Sequence, residues 1–167
     1  ALAAEYQGTA NASHIKEKLA EMIHLAETIY AGSVACSAMG YKTPSGACYP
    51  DPLLANTTKH NVTRHIYEIS RLAHDIAGGI VATMPFQGDL ESSEVGHYVK
   101  KYLAGAKGIP VEDRIKILRL IENMSGGTAL VESMHGAGSP QTQKVMYGRL
   151  GNLEQKKRWA KKIVGIE

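Results

Sequence analysis

Apolar residues recur at helical spacing along most of this chain, and no stretch shows the apolar–polar alternation of a half-buried strand. The first apolar stripe predicts a helix from about residue 11 to about residue 38. A second stripe predicts a helix from about residue 54 until Gly78 and Gly79 end it. The pattern therefore favours an all-α fold.

Glycine and proline divide the second half of the chain into further helices. Residues 94–104 are expected to form a short helix, and residues 80–93 an irregular connection before it. A longer helix is predicted over residues 110–134, loosened at Gly126 and Gly127, and a last one from Ser139 to about residue 163. The prediction is an up-and-down bundle of four long helices plus one short helix.

The size, charge and cysteine content of the chain indicate what kind of protein it is. Its 167 residues fit one domain, 1–167, and the chain lacks an initial Met, so we expect a piece of a larger protein. A net charge of +3 is too mild to indicate nucleic-acid binding, and the basic residues cluster only at 156–162. No apolar run approaches the roughly 20 residues that span a bilayer, so no membrane association is expected. Two cysteines without metal-site spacing favour a reducing, cytoplasmic location.

Three Glu-x-x-His pairs raise the possibility of a metal site. Residues three apart share a helix face, and di-iron bundles combine two such pairs with glutamates from two other helices. The alternative is that these residues lie on amphipathic helices and bind no metal. This alternative is favoured, so the chain is expected to contain no metal ligands. The pairs are Glu21 with His24, Glu94 with His97, and Glu132 with His135.

Two glycine-rich segments are candidate binding sites. Residues 132–140 place a carboxylate, an imidazole, glycines and a helix start close together. The amides of that helix start could bind an anionic group, although a plain helix–helix turn has the same pattern. Gly78 and Gly79, followed by Thr83, form the other segment, which alone indicates only a helix C-cap.

Seven stretches in the same order along nearly the whole chain carry a family resemblance: residues 18–25, 35–38, 61–64, 67–79, 112–114, 118–123 and 132–143. They resemble the C-terminal region of the 4-hydroxybutyryl-CoA dehydratases. The wider family includes the flavin-dependent 4-hydroxyphenylacetate 3-monooxygenases, and its fold is similar to that of the acyl-CoA dehydrogenases, whose last domain is a helical bundle.

This resemblance implies a homotetrameric flavoprotein that binds FAD where subunits meet, beside an iron–sulfur (4Fe-4S) cluster. Such enzymes remove water from an acyl-CoA substrate, 4-hydroxybutyryl-CoA, to give crotonyl-CoA by radical chemistry, and they isomerise vinylacetyl-CoA. Their cluster ligands, three cysteines and a histidine, lie upstream of the region matched, so Cys36 and Cys48 are not ligands. The chain would then be a C-terminal fragment of a larger flavoprotein, and the fragment alone is expected to be inactive.

The resemblance also implies roles for particular residues. Gly78 and Gly79, with Thr83, are expected to approach the flavin of a neighbouring subunit. Glu132 matches an active-site glutamate that could act in acid–base chemistry or position the substrate hydroxyl. His135 is expected to assist in cofactor binding or to brace its turn. The alternatives are a flavin-dependent aromatic hydroxylase, a di-iron bundle and a non-catalytic assembly module.

Overall fold

A computed structural model describes residues 1–136 and 138–166, and over these residues the regular secondary structure is almost entirely helical. The predicted all-α class is confirmed. A two-stranded antiparallel hairpin pairs β1 (Tyr41–Lys42) with β2 (Cys48–Tyr49), and a 3-10 helix spans Ile80–Thr83. The helices are α1 (Leu2–Gln7), α2 (Ser13–Ala38), α3 (Pro52–Ile76), α4 (Gln87–Glu91), α5 (Gly96–Tyr102), α6 (Val111–Gly126), α7 (Thr128–His135), α8 (Pro140–Leu150) and α9 (Leu153–Val164).

The two longest helices, α2 and α3, pack antiparallel and form the frame of the domain. The β hairpin lies in the connection between them, and Asp51 caps α3 by accepting a hydrogen bond from the Leu54 amide at 2.8 Å. A Cβ atom added to Gly32 would overlap Thr58 Oγ1 and lie 3.2 Å from Thr58 Cβ. The two backbones therefore approach closely because position 32 carries no side chain.

The helices are divided more finely than the sequence pattern predicts. The predicted helix over residues 110–134 is interrupted at Gly127, whose extended backbone (φ −101°, ψ −167°) separates α6 from α7. The predicted last helix is interrupted before Asn152, which adopts φ 45° and caps α9 through the Gln155 amide. The stretch predicted to be irregular contains the 3-10 helix and α4, and α1 precedes the first predicted helix. The predicted count of four long helices and one short one is therefore too low.

The core lies between α1, α2 and α3, and α6 closes it. Ala4, Ile15 and Ile76 are buried together, and Leu19 and Met22 pack against them. On α6, Leu118 is 1% exposed. Burial of these apolar side chains is the main favourable contribution to the folding of the bundle.

A buried guanidinium connects three segments at one end of this core. Arg114 donates from Nη1 to the Leu103 carbonyl at 2.5 Å and from Nη2 to Gln7 Oε1 at 3.3 Å. Gln7 in turn donates to the Ile76 carbonyl at 2.6 Å, which fixes the end of α3. Burial lowers the pKa of Arg114 from its ordinary value because the charged form loses hydration.

Much apolar surface of this domain remains uncovered. The accessible area is 11217 Å², whereas a monomeric globular protein of 18.0 kDa is expected to expose about 8,000 Å². Phe86 and Ile163 are 80% and 84% exposed. No helix within residues 1–136 and 138–166 has the length and apolarity needed to cross a bilayer.

Candidate functional site

The glycine pair at the end of α3 adopts a conformation that side chains disfavour. Gly78 and Gly79 have φ values of 70° and 76°, and the two left-handed residues turn the chain from α3 into the 3-10 helix. A residue with a Cβ would lose roughly 1–2 kcal/mol at each position. A Cβ added to Gly79 would meet no atom within 4 Å, so the backbone here faces open space. The pair is thus both a turn and an accessible stretch of backbone.

A cavity of about 540 Å³ opens beside Gly79. It lies where the end of α3, the 3-10 helix and the C-terminal end of α6 meet, and this volume is in the range of small-molecule sites. Its walls are His74, Gly79, Val81, Ala82, Glu122 and Gly126. The predicted cofactor-binding glycine therefore lines a cavity that could hold part of a cofactor.

The imidazole in this wall is held by a buried serine. His74 Nε2 lies 2.5 Å from Ser125 Oγ, and Ser125, which is 8% exposed, also donates to the Ile121 carbonyl. The α3 and α6 walls are thereby joined through side chains that are 51 residues apart in sequence.

The carboxylate in the wall is held by an arginine of its own helix. Glu122 Oε2 lies 2.6 Å from Arg119 Nη1, and Arg119 also donates to the Pro85 carbonyl. This pair joins the segment after the 3-10 helix to α6. Both polar side chains of the wall, His74 and Glu122, are thus fixed by contacts within the domain.

Thr83 ends the 3-10 helix without joining the cavity wall. Its hydroxyl donates to the Ile80 carbonyl at 3.4 Å, and its side chain is exposed. Val81 and Ala82 line the cavity, whereas Thr83 is not among the lining residues.

Glu132 and His135 lie on α7, and both are exposed. Within residues 1–136 and 138–166, the Glu132 carboxylate has no hydrogen-bond or ion-pair partner. Neither residue lines the cavity beside Gly79. Gly126 at the cavity wall precedes Glu132 by six residues, and the helix break at Gly127 lies between them.

The start of α8 holds Gly138 in place through a side-chain hydrogen bond. Ser139 caps α8 by accepting from the Thr142 amide, and Gly138 has φ 94°. Gln143, which is 2% exposed, donates to the Gly138 carbonyl at 3.2 Å. Ala137, in the middle of the predicted glycine turn, lies outside the described residues.

The Glu-x-x-His pairs do not assemble into a metal centre in the part of the chain that the structure describes. They lie on α2, at α5 and on α7, and no three histidine, cysteine, aspartate or glutamate side chains gather there as a metal would require. The di-iron hypothesis therefore has no site among these residues.

The sequence pattern did not indicate the two polar side chains of the cavity wall, His74 and Glu122, or Ser125, which holds His74. His74 precedes Gly78 by one helical turn, and Ser125 directly precedes a second glycine pair. Polar residues beside two glycine pairs were the available signal. Their pairing depends on the packing of α3 against α6, which the sequence pattern does not specify.

Comparison with known proteins places this geometry in a family. Residues 1–165 match the family model described as 4-hydroxyphenylacetate 3-hydroxylase C terminal. The chain is 49% identical over 179 aligned residues to 4-hydroxybutyryl-CoA dehydratase/vinylacetyl-CoA-Delta-isomerase of Clostridium aminobutyricum, covering 100% of this chain and 36% of that protein. The chain thus spans about a third of the length of this relative.

Solved structures show the same fold. An oxygen-tolerant archaeal 4-hydroxybutyryl-CoA dehydratase from N. maritimus superposes with a TM-score of 0.94 at 52% identity, over 99% of this chain and 34% of that one. The oxygenase component (HpaB) of 4-hydroxyphenylacetate 3-monooxygenase, complexed with FAD, superposes with a TM-score of 0.85 at 22% identity, over 98% of this chain and 35% of that one. The second likeness shows the fold alone.

Proposed function

Since the chain belongs to the 4-hydroxyphenylacetate 3-hydroxylase C-terminal family, we propose that it is the helical domain that completes the FAD site of a larger flavoprotein, called the holoenzyme below. The observation that carries this proposal is the 49% identity to a dehydratase over the whole of this chain. The chain spans 36% of that relative, so the activity belongs to the holoenzyme and the fragment alone is inactive.

The reaction we propose is dehydration of 4-hydroxybutyryl-CoA to crotonyl-CoA, with isomerisation of vinylacetyl-CoA. Two dehydratases, one bacterial and one archaeal, are each about half identical to this chain. The oxygenase component shares 22% identity, which supports a common fold and not a common reaction. An acyl-CoA is therefore the substrate class that the comparisons favour.

The residues at the end of α3 fit a flavin nucleotide. Gly79 offers backbone without a side chain beside a cavity of about 540 Å³, and Val81 and Ala82 supply apolar walls. FAD would supply electron-transfer chemistry there, together with a 4Fe-4S cluster whose ligands are proposed to lie outside this chain. Gly78 and Gly79 allow close approach, and Thr83 and His135 are proposed to contact the cofactor from its periphery.

Glu132 is proposed as the acid–base group of this domain. Its carboxylate is exposed and lacks a partner within residues 1–136 and 138–166, so it is free to accept or return a proton at Oε. The hydrogen bond from the Gly136 amide to the Glu132 carbonyl, 2.7 Å long, caps the C-terminal end of α7. In the holoenzyme this carboxylate would face the substrate or position its hydroxyl group.

The uncovered apolar surface supports a role in assembly. The accessible area exceeds the expectation for a monomer of this mass by roughly 3,000 Å², which is enough for more than one standard interface. We propose that this surface is covered by the rest of the holoenzyme and by further subunits in a homotetramer. The free thiols of Cys36 and Cys48 support a cytoplasmic location.

Substrate assays of the holoenzyme separate the dehydratase from the aromatic hydroxylase. Under anaerobic conditions, 4-hydroxybutyryl-CoA should be converted to crotonyl-CoA, detected by chromatography of the thioesters. The parallel assay supplies reduced flavin, oxygen and 4-hydroxyphenylacetate. Hydroxylation of the phenol without any crotonyl-CoA formation would overturn the dehydratase proposal in favour of the second candidate.

A further inference from the structure

We propose that His74 is a flavin-binding residue whose Nδ1 accepts a hydrogen bond from an uncharged N–H or O–H group of the flavin nucleotide beside Gly79. This inference rests on the proposed flavin site and adds a side chain to its glycine backbone. The geometry that carries it is the bond between His74 and Ser125 in the cavity wall.

The hydrogen bonds of Ser125 assign the proton of the imidazole. Ser125 Oγ lies 2.5 Å from both the Ile121 carbonyl oxygen and His74 Nε2. A serine hydroxyl has one hydrogen, and a carbonyl oxygen can only accept, so that hydrogen points to Ile121. Ser125 Oγ is therefore the acceptor toward His74, and Nε2 must carry a hydrogen.

The opposite ring nitrogen is left for a ligand. In a neutral imidazole with a protonated Nε2, Nδ1 bears a lone pair and can only accept. The His74 carbonyl accepts from the Gly79 amide at 3.4 Å, so the imidazole and the glycine backbone belong to one rigid helix end. Both line the same cavity.

The other walls define which part of the nucleotide fits. Val81 and Ala82 are apolar, and the charged wall group is the Glu122 carboxylate, already paired with Arg119. A phosphate beside that carboxylate would be repelled, so the cavity favours an uncharged part of the nucleotide. The isoalloxazine N–H, the ribityl hydroxyls and the adenine amino group all offer the donor that Nδ1 requires.

Two substitutions of His74 separate the two ring nitrogens. His74→Gln keeps an N–H donor near the Nε2 position, facing Ser125, but has no acceptor at the Nδ1 position. His74→Asn keeps an acceptor near Nδ1 but cannot reach Ser125. Flavin dissociation constants are measured by fluorescence titration of the flavin-depleted holoenzyme, and stability by urea unfolding.

The two substitutions are expected to separate flavin affinity from stability, each lowering one of them. His74→Gln should weaken FAD binding about threefold to tenfold, the loss of one hydrogen bond, with an unchanged unfolding midpoint. His74→Asn should retain most of the affinity and unfold at lower urea. Titration with FMN shows which half of the nucleotide supplies the donor: an equal loss for FMN and FAD places it in the flavin half, a loss for FAD alone in the adenine half. His24→Gln, on α2 outside the cavity, is the matched control.

Wild-type flavin affinity in His74→Gln would overturn the inference and leave His74 as a structural partner of Ser125. Gly79→Asn distinguishes this from failure of the flavin site, because asparagine tolerates a positive φ and its side chain would enter the open space beside Gly79. If Gly79→Asn weakens flavin binding and His74→Gln does not, only the role of His74 is refuted. If neither does, the proposed flavin site itself is wrong.

Discussion

Replacement of Gly32 by alanine tests the closest approach of the two longest helices. The added methyl carbon would overlap Thr58 Oγ1 and lie 3.2 Å from both Thr58 Cβ and Cγ2. Rotation of the threonine side chain can move Oγ1 and Cγ2 but leaves Cβ in place. Gly32→Ala should therefore push α2 and α3 apart or force Thr58 into a poorer rotamer.

The magnitude follows from two opposing contributions. Alanine is better than glycine in a helix interior by roughly 0.8–1 kcal/mol, whereas overpacking a close contact costs about 1–3 kcal/mol. Gly32→Ala should thus lower the free energy of unfolding by up to about 2 kcal/mol. In a Thr58→Ala background, where Oγ1 and Cγ2 are absent, the same change should be neutral or stabilising by up to about 1 kcal/mol.

Urea unfolding of the wild type, the two single variants and the double variant forms a double-mutant cycle. The coupling energy between positions 32 and 58 is expected to be about 1–3 kcal/mol. Gly148→Ala on α8 is the matched control, because a Cβ there meets no atom within 4 Å; it should stabilise the chain in either background. Equal effects of Gly32→Ala with and without Thr58 would refute the close approach of α2 and α3 at this point.

Three further predictions concern the site, a buried cation and acid stability. Glu132→Gln in the holoenzyme should lower the dehydration rate by roughly a hundredfold or more at unchanged flavin content. The control Glu154→Gln on α9 should keep a dehydration rate near that of the wild type. A loss of rate within about twofold for Glu132→Gln would exclude acid–base catalysis by Glu132. Arg114→Met should lower the free energy of unfolding by about 2–4 kcal/mol, because two charge-assisted hydrogen bonds are lost and the relief of desolvation offsets only part of that loss. The control Lys116→Met, at an exposed side chain, should change the free energy of unfolding little. The Lys18 ammonium, 2.7 Å from the Asp75 carboxylate, holds the pKa of Asp75 below its ordinary value, so the contribution of this ion pair to stability is present above about pH 4 and is lost as the pH falls through the lowered pKa. Lys18→Met should therefore reduce the urea midpoint at pH 7 and leave it unchanged near pH 2. An equal reduction at both pH values would contradict an electrostatic origin.

Helix periodicity predicted the long helices because their apolar faces are buried against each other. It could not predict which glycines interrupt a helix. Gly32 and Gly148 remain inside α2 and α8, whereas Gly127 separates two helices. The difference lies in tertiary contacts, since glycine permits a break without requiring one.

The candidate site was predictable in part. Gly78 and Gly79 follow an apolar stripe, and the structure gives them the left-handed conformation that such a pair allows. His74 escaped prediction because its role depends on Ser125, 51 residues away. The proposed role of Glu132 came from resemblance, because an exposed carboxylate on a short helix has no distinguishing physical signal in the sequence.

This domain is proposed to contribute Gly79 and its cavity to the flavin site of the holoenzyme. A structure of the holoenzyme with FAD tests it most directly. Flavin-nucleotide atoms are expected within about 4 Å of the Gly79 backbone, with His74 at the same cavity. A nucleotide bound elsewhere, with this cavity filled by protein side chains, would contradict it.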